Sequence, residues 1–71
     1  MKNEFAITTE FITLGQLLKL ADIIGNGGEA KNFLATTKVL VNGEPDNRRG
    51  RKLRPGDRVK IPDLNKELII R

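Results

Sequence analysis

Seven basic side chains crowd one short stretch of this sequence: Arg48, Arg49, Arg51, Lys52, Arg54, Arg58 and Lys60, opposed there only by Asp57. Arginine presents a planar fork that can grip a phosphate with two parallel hydrogen bonds. Gly50 lets the backbone approach a ligand closely, and each phosphate neutralised releases condensed counterions, a main source of affinity for nucleic acid. The stretch holds a local excess of six positive charges in a chain whose net charge is +4, so the remainder is net negative. Such local basicity is expected of a patch that meets a polyanion. The same residues could instead form a solvated loop that guards a sheet edge against aggregation.

Other candidates are weaker. Gly25-Asn26-Gly27-Gly28 precedes a predicted helix, where free N–H groups and the helix dipole favour a phosphate, with Lys31 in the first turn to assist. No Gly-Lys-Ser or Gly-Lys-Thr follows, so this is no Walker loop, and a plain turn between helices explains it as well. Glu44, Asp46 and Asp57 are read as charge balance and turn formers, since none falls in a predicted apolar pocket that could raise its pKa. Histidine and cysteine are both absent. The commonest general base, the thiolate nucleophile and the usual zinc ligands are therefore missing. The expectation is a protein with no catalytic residue, no metal, no cofactor and no small-molecule substrate: not an enzyme. The only aromatics are Phe5, Phe11 and Phe33, and Phe5 and Phe33 fall on core faces, which argues against stacking platforms of the RRM or OB type.

The elements that must position the basic stretch can be read from pattern. Glu4 to Thr8 alternates, with Phe5 and Ile7 on one face, as in a short edge strand. Thr13 and Gln16 have capping-box spacing, and Ile12 and Leu17 are placed for a hydrophobic staple. Leu14, Leu17, Leu18, Ala21 and Ile24 recur at helical spacing, Leu20 widens the stripe, and Ile23 intrudes on the polar face. This predicts a helix from Leu14 to about Ile24, stopped by the glycine-rich segment. A second helix runs from Gly28 or Glu29 to Thr36 with Ala30, Phe33 and Leu34 inward. Val39-Leu40-Val41 is a strand ending at Asn42-Gly43, a tight-turn signal. Pro45 argues against a simple two-residue hairpin. The expectation is a longer excursion to Gly50, with Arg51-Lys52-Leu53 rejoining the sheet and Leu53 as anchor. Arg54-Pro55-Gly56-Asp57 has the residues of a type II turn. Val59 and Ile61 then point inward, Pro62 to Asn65 turns, and Glu67 to Ile70 closes, pairing with the first strand. Helices grouped beside an antiparallel sheet make an α+β domain.

Seventy-one residues suffice for one domain, expected to span 1–71. No run approaches the ~20 apolar residues of a membrane span, and no export signal is visible, so a cytoplasmic location without membrane partner is expected.

The order helix, glycine-rich turn, helix, Lys38-Val39-Leu40-Val41-Asn42-Gly43, then Leu53-Arg54-Pro55-Gly56-Asp57-Arg58-Val59-Lys60-Ile61 resembles the S4 domain, or αL RNA-binding motif. The likeness covers roughly Leu14 to Ile61. Ile12 to Gln16, Gly27 to Lys31 and Glu44 to Leu53 resemble more narrowly a family of short, free-standing bacterial S4-like proteins. The resemblance implies two helices packed on a small antiparallel sheet and non-catalytic binding of structured RNA, with ribosomal RNA as the target by family analogy. Larger S4 domains commonly open the second helix with Ser-Arg. Here Asn26-Gly27-Gly28 stands there, with Lys31 further along, which shifts the expected contacts to Arg48, Arg49, Arg51, Lys52 and Arg54. Lys31 and Arg58 are secondary, and Lys19 is a weaker candidate. Reversing Arg49 and Arg51 to glutamate is expected to abolish binding without unfolding the domain. Two other readings stay open: a protein–protein module that docks on an acidic partner, with Ile23 as an apolar contact, and a DNA-binding accessory factor.

Overall fold

The computed structural model describes residues 2–71, so only Met1 of the expected single domain lies outside it. Seven short strands and two helices follow in order. They are β1 (Lys2–Phe5), β2 (Ile12–Thr13), α1 (Leu14–Leu20), α2 (Glu29–Thr36), β3 (Leu40–Val41), β4 (Glu44–Pro45), β5 (Lys52–Leu53), β6 (Arg58–Ile61) and β7 (Lys66–Ile70), with a 3-10 turn at Pro62–Leu64. The main sheet has the order β1-β7-β6-β3-β4, and β2 and β5 form a separate two-stranded ribbon. This is the expected α+β architecture, with more strands than the pattern predicts. β1 pairs with β7 in parallel, Phe5 opposite Ile70, while the other pairs are antiparallel. The first and last strands thus tie the two ends of the domain together.

One core joins all three parts. α1 and α2 contribute Leu14, Leu17, Leu18, Ala30 and Leu34; the sheet contributes Val41, Val59, Ile61, Leu68 and Ile70; the ribbon contributes Ile12 and Leu53. No polar or charged residue is buried among those described. Strand alternation does the sorting: along β6, Val59 and Ile61 are buried while Arg58 and Lys60 are exposed.

The structure corrects four expectations. α1 ends at Leu20 rather than Ile24, because Asp22 takes the left-handed conformation at φ 60°. The Asp22 N–H then donates to Lys19 O and the Ile23 N–H to Leu18 O, each at 3.0 Å, which is the Schellman closure usually built on glycine. Leu20 does not widen the core stripe: at 100° per residue it projects about 110° from the middle of that stripe, and it is 60% exposed. Asn42-Gly43 does form a two-residue hairpin, both residues at positive φ, with Val41 opposite Glu44 and Leu40 opposite Pro45. Pro45 occupies the non-hydrogen-bonded position of an edge strand, where a missing N–H costs nothing, and Asp46 N–H resumes the ladder to Val39 O at 2.9 Å. Finally, Lys52–Leu53 rejoins β2, not the main sheet, with Ile12 opposite Leu53.

Candidate nucleic-acid interface

The ribbon and α1 together fix the basic loop. Thr13 caps α1: its side chain accepts the Gln16 N–H at 3.2 Å, and the Gln16 side chain accepts the Thr13 N–H at 2.8 Å. The two remaining free donors of the first turn belong to Leu14 and Gly15. They donate to the carbonyls of Arg51, at 2.8 Å, and Arg49, at 2.9 Å. The helix start is therefore satisfied by the loop's own backbone, not left for an anion. The loop packs closely here: a Cβ on Gly15 would stand in van der Waals contact with the Arg49 carbonyl oxygen, at 3.4 Å, and with the Ala30 Cβ, at 3.5 Å. The loop backbone is anchored, and the side chains of Arg48 and Arg49 are exposed.

Asp46 organises the loop from the other side. Its carboxylate accepts the Arg48 backbone N–H at 2.9 Å and both arms of the Arg48 fork at 3.1 and 2.8 Å. Arg51 approaches the same carboxylate at 3.7 Å. The Arg48 hydrogen bonds, helped by the positive charge of both arginines and opposed by partial burial, lower the Asp46 pKa to about 2. Asp57 braces the neighbouring turns: it accepts the Arg54 N–H at 2.8 Å and the Asn42 side chain at 3.0 Å, while Asn42 accepts the Arg58 N–H at 2.9 Å. Burial alone would raise the Asp57 pKa, but these hydrogen bonds, with Arg51 and Arg54 nearby, hold it below its ordinary value. Asn42 thus links the Asn-Gly hairpin to the Pro-Gly-Asp turn, whose Gly56 has the positive φ, 101°, of a type II turn.

Positions of the expected site residues follow from these anchors. Arg49 lines a shallow groove of about 420 Å³ with Gly50, Gly15, Gln16, Gly27 and Ala30, and Lys19 stands on the same groove. Arg48, its fork held by Asp46 yet 66% exposed, borders a wider depression against the end of α2, where Lys38 also lies. Lys52 and Arg54 are exposed on the outer side of the ribbon. Arg51 turns inward toward Asp46, and its Nε is buried without a hydrogen-bond partner among the described residues. Lys31 is exposed on the first turn of α2 but does not line the groove. Arg58 lies on the sheet face turned from the helices, 4.0 Å from Glu67.

Phe11 is the residue that sequence reasoning left unassigned. It is half-buried at the start of the ribbon, with the Lys52 Nζ 4.9 Å and the Arg54 Cζ 5.8 Å from its ring centroid. The signal was present in the alternation of Phe11-Ile12-Thr13 against Lys52-Leu53-Arg54, once the two are known to pair. Ile23, suggested as an apolar contact for a partner, instead packs half-buried against the core. The glycine-rich turn is occupied from within: the Glu29 carboxylate accepts the Gly25 N–H and the Asn26 side chain accepts the Glu29 N–H, each at 3.2 Å. The Ala30 N–H donates to the Gly27 carbonyl at 3.3 Å, so the first donors of α2 are also engaged within the turn. No helix among the described residues is long and apolar enough to cross a membrane.

Comparison with known proteins agrees with this architecture. A model of the S4 domain matches residues 5–70. Over 61 residues the chain is 66% identical to the "Probable ribosome maturation protein RlbA" of Bacillus subtilis (strain 168), an alignment that covers 86% of either chain. With a match over nearly the whole length and a relative this similar, the protein belongs to the S4 domain family as a short member of that family.

Proposed function

We propose that this domain binds structured RNA without catalysis and serves ribosome maturation. The name of the Bacillus subtilis relative and the membership of the S4 domain family support the cellular role. The observation that carries the binding reading is the anchored basic loop. Its backbone is pinned at both Arg49 and Arg51 to the start of α1, so the loop backbone has little freedom left to lose when its cations meet phosphates. Arg49 and Lys19 flank the groove, Lys52 and Arg54 extend the positive surface along the ribbon, and Arg48 contributes the part of its fork that Asp46 leaves exposed. Arg51 braces the loop from inside, and Lys31 and Arg58 add positive potential at the margins. A surface of this kind reads the shape and backbone of RNA more than its base sequence. Asp46 and Asp57 are held ionised, the opposite of what a general acid at neutral pH requires.

The test is equilibrium binding of a structured RNA hairpin to wild type and to Arg49→Glu. The expected result is a loss of roughly tenfold or more, since one favourable phosphate contact becomes a repulsion, with an unchanged thermal unfolding profile. A variant that binds the hairpin as wild type does would remove the loop from the interface.

A further inference from the structure

The outer face of the ribbon has a composition that phosphate binding alone does not explain. Ile12 and Leu53 are paired and buried, so their neighbours Phe11, Thr13, Lys52 and Arg54 point the other way. On this face an aromatic ring stands beneath two cations, neither of which is ion-paired among the described residues. If the cations only met a phosphate backbone, the ring beside them would have no task, and neither the core nor a helix claims its exposed part.

We propose that Phe11, Lys52 and Arg54 form a seat for one unpaired nucleotide of the bound RNA, with the base stacked on the Phe11 ring and the adjoining phosphate held by Lys52 and Arg54. This inference rests on the RNA-binding reading above. A nucleotide is the ligand that joins a flat π-surface to an anion within one unit, and the seat presents the complement of both. An acidic peptide would satisfy the cations and leave the ring bare. The exchange at the ring is favourable: stacking a base on an aromatic side chain strengthens binding by roughly 5- to 150-fold, whereas an exposed cation over the same ring accounts for roughly 2- to 5-fold. The base therefore takes the ring, and the displaced ammonium or guanidinium moves to the phosphate. Fully paired RNA keeps its bases inside the helix and can offer this seat only phosphates, so the seat favours loops and bulges.

Two RNAs of equal length test the proposal, a hairpin with an unpaired bulge and a fully paired duplex. Phe11→Leu keeps the apolar bulk and is expected to weaken hairpin binding at least fivefold, leave duplex binding unchanged and leave the salt dependence unchanged, because no charge is lost. Phe11→Tyr is expected to restore hairpin affinity. The chain has no tryptophan, so Phe11→Trp supplies a single fluorophore whose emission should be quenched by the bulged hairpin and not by the duplex. Should Phe11→Leu fail to fold, Phe11→Trp still decides the matter: emission that the bulged hairpin leaves unquenched would overturn the seat. Hairpin binding by Phe11→Leu equal to wild type, with Arg49→Glu impaired, would overturn the seat and leave the RNA-binding reading intact. Failure of the wild-type protein to bind either RNA would overturn both.

Discussion

Asp46 and Arg51 decide how the individual charges of the basic loop behave. Reversing Arg49 replaces an outward-facing cation, but reversing Arg51 brings a third carboxylate toward Asp46, 3.7 Å from the native guanidinium, and toward Asp57. Arg51→Glu should therefore lower the thermal midpoint as well as RNA affinity, whereas Arg49→Glu should lower affinity alone. Equal midpoints for the two variants would deny Arg51 its bracing role. The sequence groups these residues in one run but does not separate them, because the distinction depends on Asp46, which lies outside the run of basic residues. Asp46 also predicts a response to acid. Its pKa, near 3.8 in an unfolded chain and about 2 when folded, means that the folded state binds fewer protons between these values. The stability contributed by Asp46 is complete above the unfolded value and is lost as pH falls from about 4 through about 2. Thermal unfolding of Asp46→Asn should lack that part of the acid transition; a pH profile identical to wild type would show that the Asp46–Arg48 contact adds no stability.

Elements rather than single residues explain why the loop is rigid. The capping box, the ribbon and the backbone bonds from Leu14 and Gly15 all converge on the start of α1. Leu53 is the apolar pin of this junction, fully buried opposite Ile12. Leu53→Ala should cost about 2–5 kcal/mol in chemical denaturation, a large share of the roughly 4–10 kcal/mol available to a domain of this size. A loss below 1 kcal/mol would mean that the ribbon is not part of the cooperative core. The capping box, the second helix, the type II turn and the alternation of β6 were legible because each is written in residues close in sequence. The end of α1 was not, because an aspartate took the left-handed position that glycine usually fills. The Asn42-Gly43 hairpin is not legible in the sequence because the cost of Pro45 depends on register, and neither is the sheet of β5, whose partner lies some forty residues earlier in the chain.

At the scale of the whole molecule, one small apolar core carries helices on one side and a mixed sheet on the other. The basic residues are then distributed around the ribbon end: Arg49 and Lys19 at the groove, Arg48 beside α2, Lys52 and Arg54 with Phe11 on the ribbon. Family and fold could be read from the motifs, whereas the division of labour among the cations needed the tertiary arrangement. The most direct test of the account is the affinity of the wild-type protein for a structured RNA hairpin and for a DNA duplex of equal length, measured across a salt series. The account predicts tighter binding to RNA, with a slope of log K against log salt of roughly −3 to −4 from the four or so phosphates the exposed cations can reach. Equal and weak binding to both polymers, with a shallow slope, would contradict it and leave the loop as a solvated surface.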